Sequence, residues 1–233
     1  MKKIPEIKLL TVWQLEKLMD MKPRLKQEKR VSRYAWETGD FNGGAAFLYS
    51  LVNFIQPKII IELGTFEAHG TLILHRATRL NGAQIYTIDC DITLNNPHQD
   101  QLLVDKIRRQ RILGANREGS TRIKFLKGDT RQVLKRILPK INSIDFVFQD
   151  SMHFVPGLLE EFDLLRPKLS RGAVVIFDDW WMVKLKHWWL LPYFKKRFSP
   201  NISGNPQIGP FDMTFNCFEI NRGKGFLVLQ RLT

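Results

Sequence analysis

From residue 45 onward, short apolar runs rich in β-branched residues alternate with longer segments of helical periodicity. The runs Ile59–Glu62, Gln84–Ile88, Arg122–Leu126, Ile144–Gln149 and Ala173–Phe177 read as strands. Segments Ala45–Ile55, Gly70–Leu80, Asp100–Gly114, Arg131–Leu138 and Pro156–Leu165 read as helices, the first of them stopped by Pro57. Strand and helix in alternation predict a parallel sheet with helices on both faces. The chain closes differently. Phe215–Ile220 and Gly225–Gln230 flank Asn221-Arg222-Gly223-Lys224 and read as a hairpin. The expected fold is therefore α/β, with a seven-stranded, mostly parallel sheet and an antiparallel strand from the C-terminal hairpin.

Before this pattern begins, Met1–Asp40 reads as a charged, helical N-terminal arm, and Thr38–Gly44 reads as a loop. The length of 233 residues suits one large α/β core and leaves little room for two full domains. We therefore expect the arm, then one domain over residues 41–233, with an aromatic, basic insertion at 180–211.

Charge changes this picture more than composition does. Hydrophobic residues are 44% and charged residues 25%, ordinary for a globular protein, but the net charge is +13. Lys and Arg crowd Met1–Arg33 and Lys106–Lys140. A solvated basic surface and an anionic partner (nucleic acid, acidic glycan or membrane surface) both fit that distribution. Cys90 and Cys217 form no disulfide framework for a chain this size, and both read as small core residues. This suits a reducing cytosol. Glu6 and Lys8 interrupt any apolar leader, and Ala45–Ile55 falls well short of the ~20 apolar residues of a membrane span. The expected location is cytoplasmic.

The candidate chemistry sits at strand ends. Ile59-Ile60-Ile61-Glu62-Leu63-Gly64-Thr65 carries an acid and a glycine turn to one point, and Gly70 opens the next helix. Asp89 ends the second strand. Asp129, in Lys127-Gly128-Asp129-Thr130, follows the third and reads equally well as a helix N-cap. In a parallel sheet such ends face the ligand crevice, where carboxylates accept from ribose hydroxyls, an ammonium or an amine. The turn lacks G-x-G-x-x-G and a P-loop, and Glu67 opposes a pyrophosphate, so a cationic ligand suits it better. The fourth strand delivers Asp150 and the fifth delivers Asp178 and Asp179. Three converging carboxylates repel unless a cation or proton lies among them, and an all-oxygen set selects Mg, Ca or Mn. His153, three residues after Asp150, reads either as a general base or as a structural loop residue.

Glu62-Leu63-Gly64-Thr65, Thr87-Ile88-Asp89, Gly128-Asp129, Asp150 and Asp178-Asp179 together resemble the class I S-adenosylmethionine-dependent methyltransferases. The likeness runs from about Asp40 to Thr233 and is strongest to methyltransferase family 24 and the metal-dependent small-molecule O-methyltransferases (caffeoyl-CoA, catechol and macrocin types). The resemblance implies a Rossmann-like three-layer sandwich. It implies that S-adenosyl-L-methionine is the cofactor, with Glu62 and Gly64 on its methionine side and Thr65, Gly70, Thr71, Thr130 and Gln149 also binding it. Asp89 would hold the ribose and Asp129 the adenine. It implies a divalent cation, usually magnesium, on Asp150, Asp178 and Asp179, and a base at His153 acting beside Asp150. Relatives that work without a metal leave both readings of the cation open. Ala68 and His69 depart from the pattern, standing where the family often has glycines.

The resemblance implies transfer of a methyl group to a hydroxyl of a small molecule or sugar. Two other readings fit the chain. RNA methylation would use the basic surface, but no Asn/Asp-Pro-Pro-Tyr-like motif follows the fourth strand. A non-catalytic module would use Trp180–Phe198 for a membrane or complex contact; four of the six Trp fall there, and no acid lies between Trp180 and Phe211. A packed lid is the plainer reading of that segment.

Overall fold

The computed structural model describes residues 10, 14–15, 44–90, 101–151, 154–180, 215–220 and 225–232, and for 216–220 the backbone alone. Most of the N-terminal arm, the loop before Gly44, His153, residues 181–211 and the hairpin turn 221–224 lie outside the described residues.

Among the described residues, helices α1 (Gly44–Ile55), α2 (His69–Thr78), α3 (Gln101–Ala115), α4 (Thr130–Ile137) and α5 (Val155–Leu165) alternate with five strands. The strands are β1 (Ile59–Leu63), β2 (Gln84–Asp89), β3 (Arg122–Lys127), β4 (Ile144–Gln149) and β5 (Leu169–Phe177), followed by β6 (Phe215–Ile220) and β7 (Phe226–Arg231). The sheet order is β3-β2-β1-β4-β5-β7-β6. Strands β1 to β5 run parallel, and β7 lies antiparallel between β5 and β6. β5 begins four residues earlier than its apolar run. Leu169 pairs with Ile144 before a register shift, and Gly172 (φ +82) lies within that stretch.

Strand side chains alternate between two cores. Ile60, Ile85, Phe146, Phe148, Val174 and Ile176 pack with α1, α2 and α3. Ile61, Leu63, Val147, Val175 and Phe177 pack with α4 and α5. Apolar side chains on both faces of the central strands are what a doubly covered parallel sheet requires. Leu10 and Leu15, from the N-terminal arm, are buried in the first of these cores, and the Leu10 amide donates to Gln230 Oε1 at 2.7 Å. At least this part of the arm is therefore packed onto the sheet. Asp145 ties three strand starts together: it accepts from the amides of Lys58 and Ile59 at 3.0 Å and from Ser170 Oγ at 2.8 Å.

The order reverses between β1 and β4, so the ligand crevice opens above their C-terminal ends. Gly64 is required there for a reason beyond ligand access. Its φ is +90, and a Cβ would lie 2.2 Å from the carbonyl oxygen of Asp150. The empty side of Gly64 is where β4 leaves the sheet. Gly82 also has a positive φ (+70), but its Cβ would meet nothing nearer than Ser120 Oγ at 3.8 Å.

The pair predicts two different costs. Gly82→Ala should lose about 1 kcal/mol in urea unfolding, the penalty of a left-handed alanine. Gly64→Ala should lose several times as much or fail to fold, because the backbone of β4 must move as well. Equal costs would show that the approach of β4 imposes no constraint.

Candidate functional site

Backbone hydrogen bonds align the strand ends. The Asp150 amide donates to Leu63 O at 2.8 Å, Asp178 to Gln149 O at 2.9 Å and Gly64 to Ile88 O at 2.9 Å. Asp150 and Asp178 therefore extend neighbouring strands by one step each, beside the turn after β1.

Glu62 does not stand at the rim. Its register partner on β2 is Thr87, so Asp89 lies two residues further toward the rim. The Glu62 side chain is fully buried, and its Oε2 accepts from Thr71 Oγ1. Oε1 has no hydrogen-bond partner among the described residues. Gly70 makes room for it: a Cβ there would lie 2.5 Å from Oε1. Burial pushes the Glu62 carboxyl up to about 7, against the hydrogen bonds of Thr71 and Thr87. Thr65 and Thr87 share a hydrogen bond at 2.5 Å, which closes this buried patch under the turn.

The turn itself is strained. Phe66 (φ 44) and Ala68 (φ 68) both occupy the left-handed region, Ala68 where the resembling family often has glycine. The Phe66 amide donates to Asp89 Oδ2 at 2.5 Å, locking the turn onto the end of β2.

Each acid on the cofactor side, apart from Glu62, has an arginine, which the sequence reading did not foresee. Arg108, 2% exposed, lies 3.3 Å from Asp89 Oδ2, also bonds Asp105, and stacks 4.3 Å above the Phe125 ring. Arg111 binds both the carbonyl (2.8 Å) and the carboxylate (3.1 Å) of Glu67. The charge of Glu67 is thus met within the protein. Arg131 Nη2 lies 3.0 Å from Asp129 Oδ2. A signal for Arg108 was present: it falls on the buried stripe Val104, Arg108, Ile112 and Ala115 of α3, where an apolar residue would be expected.

Asp129 is the N-cap of α4. Its Oδ1 accepts from the amides of Arg131 and Gln132 at 3.1 and 3.2 Å. The Arg131 side chain and these amides hold its carboxyl below the ordinary carboxylate range. Burial raises Asp89, opposed by the Phe66 amide and Arg108.

On the far side, Gln149, Thr130 and Ser151 all point their donors at one carboxylate, Glu161 of α5, which is fully buried. The sequence reading missed Glu161; an acid among Leu158, Leu159, Phe162 and Leu165 on the buried face of α5 was its only signal.

The expected metal set is not assembled as expected. Asp178 Oδ1 accepts from the Asp179 amide at 2.8 Å, and Asp179 is buried with a left-handed backbone (φ 50). Among the described residues no three His, Cys, Asp or Glu side chains gather as a metal would need. The backbone directs Asp179 inward, where two sequential acids had suggested convergence. Two further expectations change. Cys90 is half-buried just beyond β2 and is not a core residue, because the strand ends at Asp89. Trp180 opens the aromatic segment as a core residue: its ring is buried, and its amide donates to Gly225 O at 3.0 Å. No helix among the described residues is long and apolar enough to cross a membrane.

Residues 61–180 match the pattern of a protein family described as a methyltransferase domain. The chain is 26% identical over 150 residues to the O-methyltransferase hkm8 of Aspergillus hancockii, covering 62% of this chain and 53% of that protein. It thus spans about half the length of that relative. Among solved structures it resembles the O-methyltransferase TomG of Streptomyces achromogenes, involved in tomaymycin synthesis and solved with SAM. The TM-score is 0.61 at 17% identity, over 87% of this chain and 89% of that one. It also resembles an O-methyltransferase of Bacillus cereus in complex with SAH, with a TM-score of 0.56 at 15% identity, over 97% and 93%.

The buried Glu62 predicts a pH signature. Its folded value of about 7 lies above the ordinary 4.5, so its stabilising share is complete below about pH 4.5 and is lost as pH rises through about 7. Relative to Glu62→Gln, the wild type should lose stability on the order of 3 kcal/mol between pH 4.5 and 8. Parallel stability curves for the two proteins would refute the burial.

Proposed function

We propose, from the premise that this chain belongs to the methyltransferase domain family, that it transfers a methyl group from S-adenosyl-L-methionine to a hydroxyl of a small molecule. The observation that carries the reading is the ring of acids around one switch-point crevice: Glu62 beneath the first turn, Asp89 at the end of β2, Asp129 at the head of α4 and Asp150 after β4. O-methyltransferases of known structure share the fold, and one of them was solved with SAM.

The residues present suit that cofactor. A fully buried acid with one unpartnered oxygen among the described residues offers a group under the turn that would ionise against an ammonium. The turn offers no phosphate cradle. Asp89 would serve the ribose, fixed in place by the Phe66 amide and Arg108. Asp129 and Thr130, at the first turn of α4, and Gln149, at the end of β4, would serve the adenine. S-adenosylmethionine, when bound, supplies a methyl group activated on a sulfonium centre and leaves as S-adenosylhomocysteine.

Asp150 orients the acceptor hydroxyl at the end of β4, and His153, three residues on, takes up its proton. The support for His153 is its place in the sequence, three residues after Asp150, and the capacity of an imidazole to act as a general base. No step is assigned to a divalent cation on Asp150, Asp178 and Asp179, since the described residues do not bring that set together. The acceptor class, a small-molecule or sugar hydroxyl, rests on the resemblance to O-methyltransferases.

Calorimetry with S-adenosylhomocysteine tests the cofactor. Binding should be measurable, should release a proton below about pH 7 as Glu62 ionises, and should weaken at least tenfold in Glu62→Gln. A wild-type chain that binds neither this compound nor S-adenosylmethionine would end the reading. With an acceptor in hand, His153→Ala should lower kcat about 10²- to 10⁴-fold while cofactor affinity stays within twofold. Unchanged turnover in that variant would remove His153 from the mechanism.

A further inference from the structure

Glu161 has no part in the reading above, yet it touches three segments of the site. It sits on the inner face of α5, with none of its surface exposed. Its Oε1 accepts from Thr130 Oγ1, the residue after Asp129. Its Oε2 accepts from Gln149 Nε2 at 2.5 Å and from Ser151 Oγ at 2.8 Å, the residues immediately before and after Asp150. One carboxylate therefore joins the head of α4 to both flanks of Asp150.

The chemistry of the pair is directional. An ionised carboxylate only accepts, whereas an amide has a donor end and an acceptor end. Glu161 thus compels Gln149 to turn its NH2 inward, and the Gln149 carbonyl becomes the end left for another donor. Gln149 is the last residue of β4, in register with Leu63 of β1 and Phe177 of β5. Those strands border the crevice. Burying a carboxylate costs stability unless donors compensate, and burial does raise the Glu161 carboxyl. An apolar residue would fill the same place in α5 without that cost. The acid is explained by what it holds.

We propose that Glu161 is a positioning residue of the methyl-transfer site: it fixes the Gln149 amide with its carbonyl outward, as a hydrogen-bond acceptor for the cofactor, and it holds the side chains on both sides of Asp150. The proposal rests on the reading of the chain as an S-adenosylmethionine-dependent enzyme.

The donor and acceptor inventory supplies a rescue. In Glu161→Gln the new NH2 faces Gln149 and Ser151, so the Gln149 amide must reverse and present a donor outward. The double variant Gln149→Glu with Glu161→Gln exchanges the two groups. The amide introduced on α5 then donates to the carboxylate introduced at the end of β4 and to Ser151, and still accepts from Thr130. The outward atom at position 149 is again an acceptor.

The wild-type chain and both variants should be titrated with S-adenosylhomocysteine by calorimetry, and their Tm values measured. Glu161→Gln should stay folded and bind about tenfold more weakly. The double variant should recover most of that loss. A folded Glu161→Gln that binds within twofold of wild type, or a double variant that folds and binds no better than the single one, would overturn the proposal. If Glu161→Gln alone does not fold, the double variant decides, since the proposal requires it to fold and to bind. Loss of binding in the wild type itself would bring down the parent reading and this inference with it. Binding by wild type with no effect of Glu161→Gln would strike the inference alone.

Discussion

The site depends on the close approach of β1 and β4 at Gly64. The Asp150 amide closes onto Leu63 O, and the Asp150 carbonyl occupies the volume that a side chain at 64 would need. That contact sets the point where the strand order reverses. It also sets the height of Asp150 relative to the turn that carries Thr65 to Ala68. Without it the two halves of the crevice would have no common floor. A positive-φ glycine here meets a backbone requirement and a steric one at the same position.

Around this junction the acids divide by environment. Glu62 lies below the rim, buried among Thr71, Gly70 and Phe148, with its proton held to about pH 7. Asp89 and Asp129 are nearer the surface and are each locked by an arginine and by backbone amides. These partners restrain the carboxylates before any ligand arrives, which lowers the ordering cost of binding. Among the described residues the basic side chains are thus of two kinds. Arg108, Arg111 and Arg131 hold acids of the site, whereas Lys106, Arg109 and Lys140 face solvent. Net charge alone could not separate them.

Glu161 and Asp145 use the same device at opposite ends of β4. Asp145 accepts from β1 and β5 partners where the strands begin, and Glu161 collects donors from α4 and the β4 exit where the strand ends. A strand pinned at both ends delivers Asp150 to a fixed place. Functional geometry of this kind needs a supporting shell whose own rotamers are held.

The sequence by itself determined the element list, the parallel order of strand and helix, the closing hairpin and the acids that end the strands. Those properties are local: period-two and helical patterns, β-branched runs and glycine turns are written within a few residues of where they act. Only the tertiary structure decided what each acid does. It buried Glu62, turned Asp179 inward away from the metal set expected of it, and gave Asp89 an arginine from α3. It also brought Glu161 under Gln149. The partners are far apart in the chain, 44 residues for Glu67 and Arg111, 19 for Asp89 and Arg108, and 12 for Gln149 and Glu161. Such pairs are selected by which helix packs on which strand and in what register, and no local pattern carries that information.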